Sequence, residues 1–278
     1  MARTTSRVIL ITGARSGIGR ACATALVGQG HRVYGTSRRL ASVDAAALGY
    51  PMLAMDVDDD GSIRAGVDEV LKTAGRLDVV VNNAGFGYGG AIEDTSIGEA
   101  KALMETNFFG ALRVCHAVLP HMRARGEGLI VNVSSIGGLM GLPFQGLYSA
   151  SKFALEGLSA SLRMEVKPFG IYVVLLEPGD ICTSFTSNRR TVRAAKDDAF
   201  GASVYHERYA AALSRIEADE QGGSPPDVVA RALLRIVNHR SPRPRYVVGP
   251  FYERIAVWAS RMLPAGLFER ILMTYYGV

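Results

Sequence analysis

The feature that most limits the folds open to this chain is a strand, a glycine-rich turn and a helix in immediate succession. Residues 8–12 are apolar, break into Gly13-Ala-Arg-Ser-Gly17-Ile-Gly19, and continue as an Ala-rich helical run over residues 20–27. In that order each glycine has a task. Gly13 permits the tight turn, Gly17 lets backbone N–H groups approach a pyrophosphate, and Gly19 lets the helix pack closely. Arg15, Ser16 and Ile18 complete the loop at the positive end of the helix dipole. A glycine-rich turn alone is often only a turn, and its place between strand and helix is what gives this one meaning.

Further apolar strands are predicted over residues 31–37, 52–55, 77–81, 129–133, 170–176 and 245–249, with helical runs between them over 58–74, 96–123, 150–166 and 228–237. The alternation predicts a single-domain α/β Rossmann fold, a doubly wound and mostly parallel sheet with helices on both faces. At the end of the second strand a carboxylate would accept hydrogen bonds from a ribose 2′-hydroxyl. Here that place holds Ser37 and then Arg38 and Arg39. A guanidinium suits a 2′-phosphate, so the predicted cofactor is NADP(H) rather than NAD(H), with Arg15 as a second phosphate contact.

Tyr148 and Lys152 stand four apart at the start of a helical run, which places both side chains on one face, one turn apart. A phenol titrates near 10, and an ammonium beside it favours the phenolate. Ser135 precedes the tyrosine by thirteen residues, at the end of the strand over 129–133, where its hydroxyl could hold a carbonyl oxygen beside the phenol. A lone Tyr–Lys pair is more often a packed aromatic beside a solvated charge, so its company decides.

That company is Thr12 to Gly19, Asn82-Asn83-Ala84-Gly85 and the Ser135, Tyr148, Lys152 spacing, which together resemble the short-chain dehydrogenase/reductase family over residues 7–249. Gly137-Gly-Leu-Met-Gly-Leu-Pro-Phe144 and Tyr148-Ser-Ala-Ser-Lys-Phe-Ala-Leu-Glu-Gly157 resemble its 17β-hydroxysteroid and retinol dehydrogenase subgroup. The resemblance implies hydride transfer between a nicotinamide and a carbonyl or carbinol carbon. Tyr148 would be the acid or base, Ser135 would orient the oxygen, and Lys152 would lower the phenol pKa and hold the ribose. Asn107 would hold a water in a proton relay. It also implies Asp56 and Val57 at the adenine, Asn83, Ala84 and Gly85 near the nicotinamide ribose, and Pro178, Gly179, Ile181 and Thr183 at the carboxamide. A homodimer or homotetramer is implied, packed through the helix over 96–123 and the Tyr148 helix. Two other readings compete: a non-catalytic NADP(H)-binding sensor or scaffold, which would normally show a broken triad, and an epimerase or dehydratase, disfavoured by the early chain end.

The expected substrate is a bulky apolar ketone, aldehyde or alcohol, steroid-, retinoid- or lipid-like, bound by Ser135, Leu139, Met140, Leu142, Phe144, Gln145, Tyr148 and Tyr205. A mobile lid is expected over 183–223, with weak strand signals and the aromatics Phe185, Phe200, Tyr205 and Tyr209. The mouth over 86–90 is read as flexible. Asp58-Asp-Asp60 reads as helix-cap chemistry, so no metal is expected. Cys22, Cys115 and Cys182 follow no metal-ligand spacing and suit a reducing compartment. The first apolar run is too short for a leader or a membrane span, so a cytoplasmic protein is expected.

The formal charge is +5, and Arg231, Arg235, Arg240, Arg243, Arg245, Arg254, Arg261 and Arg270 face only Glu253 and Glu269 across the same segment. No aromatic residues interleave a basic stripe there, which argues against nucleic acid. The tail over 250–278 reads as two amphipathic helices. Their expected role is to close the substrate pocket or meet a neighbouring subunit, with peripheral contact to an anionic membrane as the alternative.

Overall fold

Val8 and Leu10 point to one side of the first strand and Ile9 and Ile11 to the other, and all four are buried, so that strand needs a helical layer on each face. The computed structural model describes residues 6–40, 45–195 and 203–278 and supplies both layers. Strands β1 (Val8–Ile11), β2 (Arg32–Ser37), β3 (Met52–Ala54), β4 (Val79–Asn82), β5 (Gly128–Val133), β6 (Ile171–Pro178) and β7 (Arg245–Val248) form one sheet in the order β3-β2-β1-β4-β5-β6-β7. Every pairing in it is parallel. The chain winds outward from β1 to β3, then returns to β4 and winds the other way. The carboxyl ends of β1 and β4 therefore flank the crevice where such sheets bind ligands.

Among the described residues the longer helices are α1 (Gly17–Gly28), α2 (Asp60–Ala74), α3 (Ile97–Met104), α4 (Gly110–Arg125), α5 (Gly146–Val166), α6 (His206–Gln221), α7 (Asp227–Asn238), α8 (Phe251–Met262) and α9 (Ala265–Tyr276), with four-residue helices at Ala45–Leu48 and Phe185–Asn188. On one face Leu26 of α1 and Leu233 and Ile236 of α7 pack over Ile9, Ile11 and Val79. On the other, Val67 of α2, Val114 of α4 and Leu162 of α5 pack over Leu10, Val80 and Ile130. This is the predicted single-domain, doubly wound fold.

Differences from the predicted elements are local and physical. The helix expected over 96–123 starts with a capping box between Ser96 and Glu99, then widens into a π-helical turn at Glu105–Phe109 before α4. Asp59 caps α2 by accepting the Ser62 N–H at 2.5 Å, as the acidic triplet suggests. The expected lid contains a sixteen-residue helix, α6, where strand signals were read. The mouth is tied rather than loose: Tyr88–Gly89 pairs in parallel with Arg190–Thr191. Phe200, counted among the lid aromatics, lies outside the described residues.

Candidate active site

The crevice is built first from backbone. Thr12 Oγ1 accepts the N–H groups of Asn83 and Ala84, each at 2.9 Å, and Asn83 Nδ2 donates to the Thr12 carbonyl at 2.9 Å. These bonds lock the turn after β1 to the turn after β4. Gly13 sits at φ 66°, and a Cβ there would lie 3.1 Å from the Ala84 Cα, so a side chain would force the two turns apart. Ser16 caps α1 without a side-chain bond, which leaves first-turn N–H groups for an anionic ligand. A cavity of about 330 Å³ opens here.

Its nucleotide end is lined by Gly13, Arg15, Ser16, Gly17, Ile18, Ser37, Arg38, Val57, Asn83, Ala84 and Gly85, as predicted. Two predicted contacts fall outside it. Gly19 packs behind the turn, where a Cβ would lie 2.5 Å from the Gly13 carbonyl oxygen. The Asp56 carboxylate turns to its own loop, accepting the Asp58 N–H at 3.1 Å, while Met55 and Val57 face the cavity. At the far end Pro178, Gly179, Ile181 and Thr183 join the lining, and a Cβ on Gly17 would stand 3.5 Å from the Thr183 Cβ. Both ends of a dinucleotide thus find groups suited to them.

Between the ends lie Ser135, Tyr148 and Lys152, brought to one wall of the cavity. Helix α5 begins at Gly146, earlier than the pattern suggests, so Tyr148 stands in its first turn. Ser135 follows β5 and accepts the Gly137 N–H at 3.0 Å, while its hydroxyl also reaches the Tyr148 phenol. Lys152 Nζ lies 5.8 Å from the tyrosine ring centre and donates to the Val133 carbonyl at 3.0 Å. The expected lowering of the phenol pKa is not what this environment produces. Burial raises Tyr148 to about 12 against the opposing pull of Ser135, and burial also lowers Lys152 to about 8. Desolvation is the largest cause at both groups because both are enclosed.

Asn107 occupies the π-helical turn, behind the cavity lining. Its Oδ1 accepts the Phe86 N–H at 3.0 Å, and its Nδ2 donates to the Phe86 carbonyl at 2.9 Å and to Ser151 Oγ at 3.1 Å. The amide is committed to protein partners, and it flanks Gly85 with Lys152 on the same side. A π-turn that aims one side chain is a frequent device at functional sites.

Of the predicted substrate contacts, Leu142 and Gln145 line the cavity with Ser135 and Tyr148. The other four do not. Leu139 and Met140 turn under the tail, against Val257 and Phe268. Phe144, held at φ 56°, packs on Tyr205 and Tyr209 at ring distances of 6.5 and 5.7 Å. Tyr205 instead donates to Glu93 Oε2 at 2.7 Å. The side of the cavity they were assigned to is made by Phe185, Ile216 and Tyr276, with the carboxyl groups of Asp180, Asp219 and Glu220. Phe185 packs 5.7 Å from the Tyr148 ring. Glu220 is paired with the buried Arg189 and accepts the Thr186 hydroxyl at 2.6 Å. Glu253, buried in the first turn of α8, accepts the Asp180 N–H at 2.9 Å, in a space that a Cβ on Gly179 would fill. Nothing local in the sequence marks these residues, because their partners are far along the chain.

A doubly wound parallel sheet with a glycine turn at its switch point, and a phenol, hydroxyl and ammonium on the wall of the same crevice, defines a Rossmann-fold oxidoreductase. Residues 7–194 match the short chain dehydrogenase family, and the chain belongs to it. Its relatives include the 3-ketodihydrosphingosine reductase of Bacteroides thetaiotaomicron, 41% identical over 98% of both chains. They also include 17-beta-hydroxysteroid dehydrogenase type 1 of Homo sapiens, 36% identical over 88% of this chain and 77% of that one. A crystal structure of a short-chain dehydrogenase from Streptomyces avermitilis covers 98% of this chain and 97% of its own, with a TM-score of 0.81 at 33% identity.

Proposed function

We propose that this protein is an NADPH-dependent reductase of a bulky, lipid-like ketone. The observation that carries the reading is a single cavity joining the glycine turn, the Ser135–Tyr148–Lys152 wall and the apolar side made by Leu142, Phe185 and Ile216. Arg15 and Arg38 line the nucleotide end, where no carboxylate stands at the end of β2, which supports a 2′-phosphate over a bare ribose. A nicotinamide dinucleotide held by the glycine turn, Arg15 and Arg38 would supply hydride to the carbonyl carbon. Tyr148 donates its phenolic proton to the carbonyl oxygen as the C=O π bond becomes C–H and O–H, and Ser135 donates a hydrogen bond to the same oxygen. A phenol raised by burial is protonated at neutral pH, the form that can give a proton. Lys152 stands by to orient the ribose and return a proton to Tyr148, and Asn107 fixes the 85–86 backbone beside it.

Similarity over the whole chain to a 3-ketodihydrosphingosine reductase supports a long-chain 3-keto lipid as the substrate class. The polar side chains of Asp180, Asp219 and Glu220 at one end of the cavity suit a polar, hydrogen-bonding head group. The same helices named in the sequence, α4 and α5, would carry a homodimer or homotetramer. The test is NADPH oxidation by purified protein with 3-ketodihydrosphingosine, a steroid ketone, retinal and a short hydrophilic ketone. Turnover of the 3-keto lipid at the highest kcat/KM is expected. Activity confined to the short hydrophilic ketone would overturn the reading.

A further inference from the structure

Helix α8 is apolar on two opposite faces, and the fold uses only one. Glu253 and Val257 turn inward, with Val257 packed against Ile136, Met140 and Phe268. Phe251, Ile255, Trp258 and Met262 follow at spacings of four, three and four residues, so they form one stripe on the opposite side. That stripe faces outward, with exposures of 73, 49, 62 and 62% in that order. Leu267 and Ile271 of α9, each 49% exposed, carry the same character into the next helix. A helix that caps a globular domain ordinarily turns polar residues outward. Scattered single apolar residues need no explanation, but a continuous stripe marks an interaction surface.

We infer that this face docks on the surface of an anionic lipid bilayer. Arg254 and Arg261, seven residues apart, both exposed, run along one flank of the stripe, and the exposed Arg270 stands on α9. Glu253 is buried, so the tail helices put three cations and only Glu269 as an anion at the surface. An indole, a phenyl ring and a thioether flanked on one side by guanidinium groups match a bilayer interface. The apolar groups enter the acyl boundary while the cations meet phosphates. No helix among the described residues is long and apolar enough to cross a membrane, so the contact is peripheral. Tyr276 of α9 is part of the cavity lining, so the tail helices reach the cavity as well as the outer surface. A second copy of this chain is the less fitting occupant. Two-fold pairing of the same face would set its arginines against one another.

The inference goes beyond the proposed reaction and is tested without turnover. Trp258 is the single tryptophan and sits in the stripe, so it reports its own surroundings. Full-length protein is mixed at low salt with vesicles of phosphatidylglycerol and phosphatidylcholine. Co-sedimentation and a blue shift of Trp258 emission are expected, with binding weaker by about tenfold or more on phosphatidylcholine alone. The double substitution Phe251→Asp and Met262→Asp keeps the reporter and removes only exposed side chains. It should bind about tenfold or more weakly at an unchanged Tm. Two results would overturn the inference: wild-type protein that ignores anionic vesicles, or a double variant that binds as the wild type does. A wild-type dimer that becomes monomeric in the double variant, without vesicle binding by either, would assign the face to a second copy instead.

Discussion

The two ends of the cavity are held by different kinds of bond. At the nucleotide end the turns after β1 and β4 are joined by backbone groups and short side chains, Thr12 to Asn83 and Ala84, with Gly13 setting the spacing. At the substrate end the parts are joined mostly by side chains from distant elements: Arg189 to Glu220, Tyr205 to Glu93, Ser203 to Asp94, and Glu253 to the Asp180 N–H. Backbone contacts fit a ligand of fixed shape and tolerate little change. Side-chain pairs can be exchanged one at a time without disturbing the sheet. The difference teaches why one framework can keep its cofactor site while its substrate site diverges. Tyr148 stands at the junction, with Ser135 on one side and Phe185 on the other.

The largest effect should therefore come from the junction. Tyr148→Phe deletes only the hydroxyl and keeps the ring packed on Phe185. A fall in kcat of about 10²–10⁴-fold is expected, with NADPH binding held within about twofold. Steady-state turnover and fluorescence titration of the cofactor measure the two separately. A variant that keeps more than about a tenth of wild-type kcat would take the proton transfer away from Tyr148. The junction between the two ends would then lie at another residue of the wall.

A smaller effect, confined to one end, sharpens the comparison. Ser37 lines the nucleotide end and donates from Oγ to the Arg39 carbonyl at 3.2 Å. Ser37→Asp would set a carboxylate against a 2′-phosphate and offer an acceptor to a 2′-hydroxyl. NADPH affinity should fall about 10–150-fold and NADH affinity should rise, while KM for the ketone stays level. Titration of wild-type protein that shows equal affinity for NADH and NADPH would defeat the cofactor assignment before the variant is made.

The same contrast explains what could be read before the structure. Gly13, Gly17 and Ser37 are legible as cavity-lining positions from their place between strand and helix, Asn83 and Thr183 from the family resemblance, and the sheet because its strands are apolar runs at regular intervals. Gly19 and Asp56 were placed one layer too close to the ligand, since a motif gives position along the chain and not which atoms face the cavity. Leu139, Met140, Phe144 and Tyr205 were assigned to the substrate because they flank Tyr148 or are aromatic. Their packing partners, Val257, Phe268, Tyr209 and Glu93, come from segments that local reasoning cannot bring together. The shift of Tyr148 was misjudged for a related reason. Sequence spacing shows Lys152 one turn away but not the burial that is the first cause of the shift. Phe185, Ile216 and Tyr276 carry no motif at all and become visible only as walls of the same cavity.

The smallest predicted effect tests whether the substrate end stores charge in the way its bonds suggest. Asp180 faces Glu253 on α8 and Glu220 and Asp219 on α6, and burial is the first cause that raises its carboxyl from 3.8 to about 9, with the Glu253 hydrogen bond next. Glu253 is raised as well, chiefly by burial. A carboxyl raised in the folded state keeps a proton that the unfolded chain releases. Its contribution to stability is therefore complete below 3.8 and is lost as pH rises toward the folded value near 9. Wild-type Tm should decline across that window. Asp180→Asn keeps the shape, can donate to Glu253 Oε2, which has no other hydrogen-bond partner, and has no proton to lose. Its decline should be shallower by on the order of a few °C. Glu177, raised to about 7 by burial beside Glu156, adds a slope common to both proteins, so the difference between the two curves isolates Asp180. Identical Tm profiles by scanning calorimetry would mean that the pair holds no extra proton. The substrate end would then store its charge no differently from the nucleotide end.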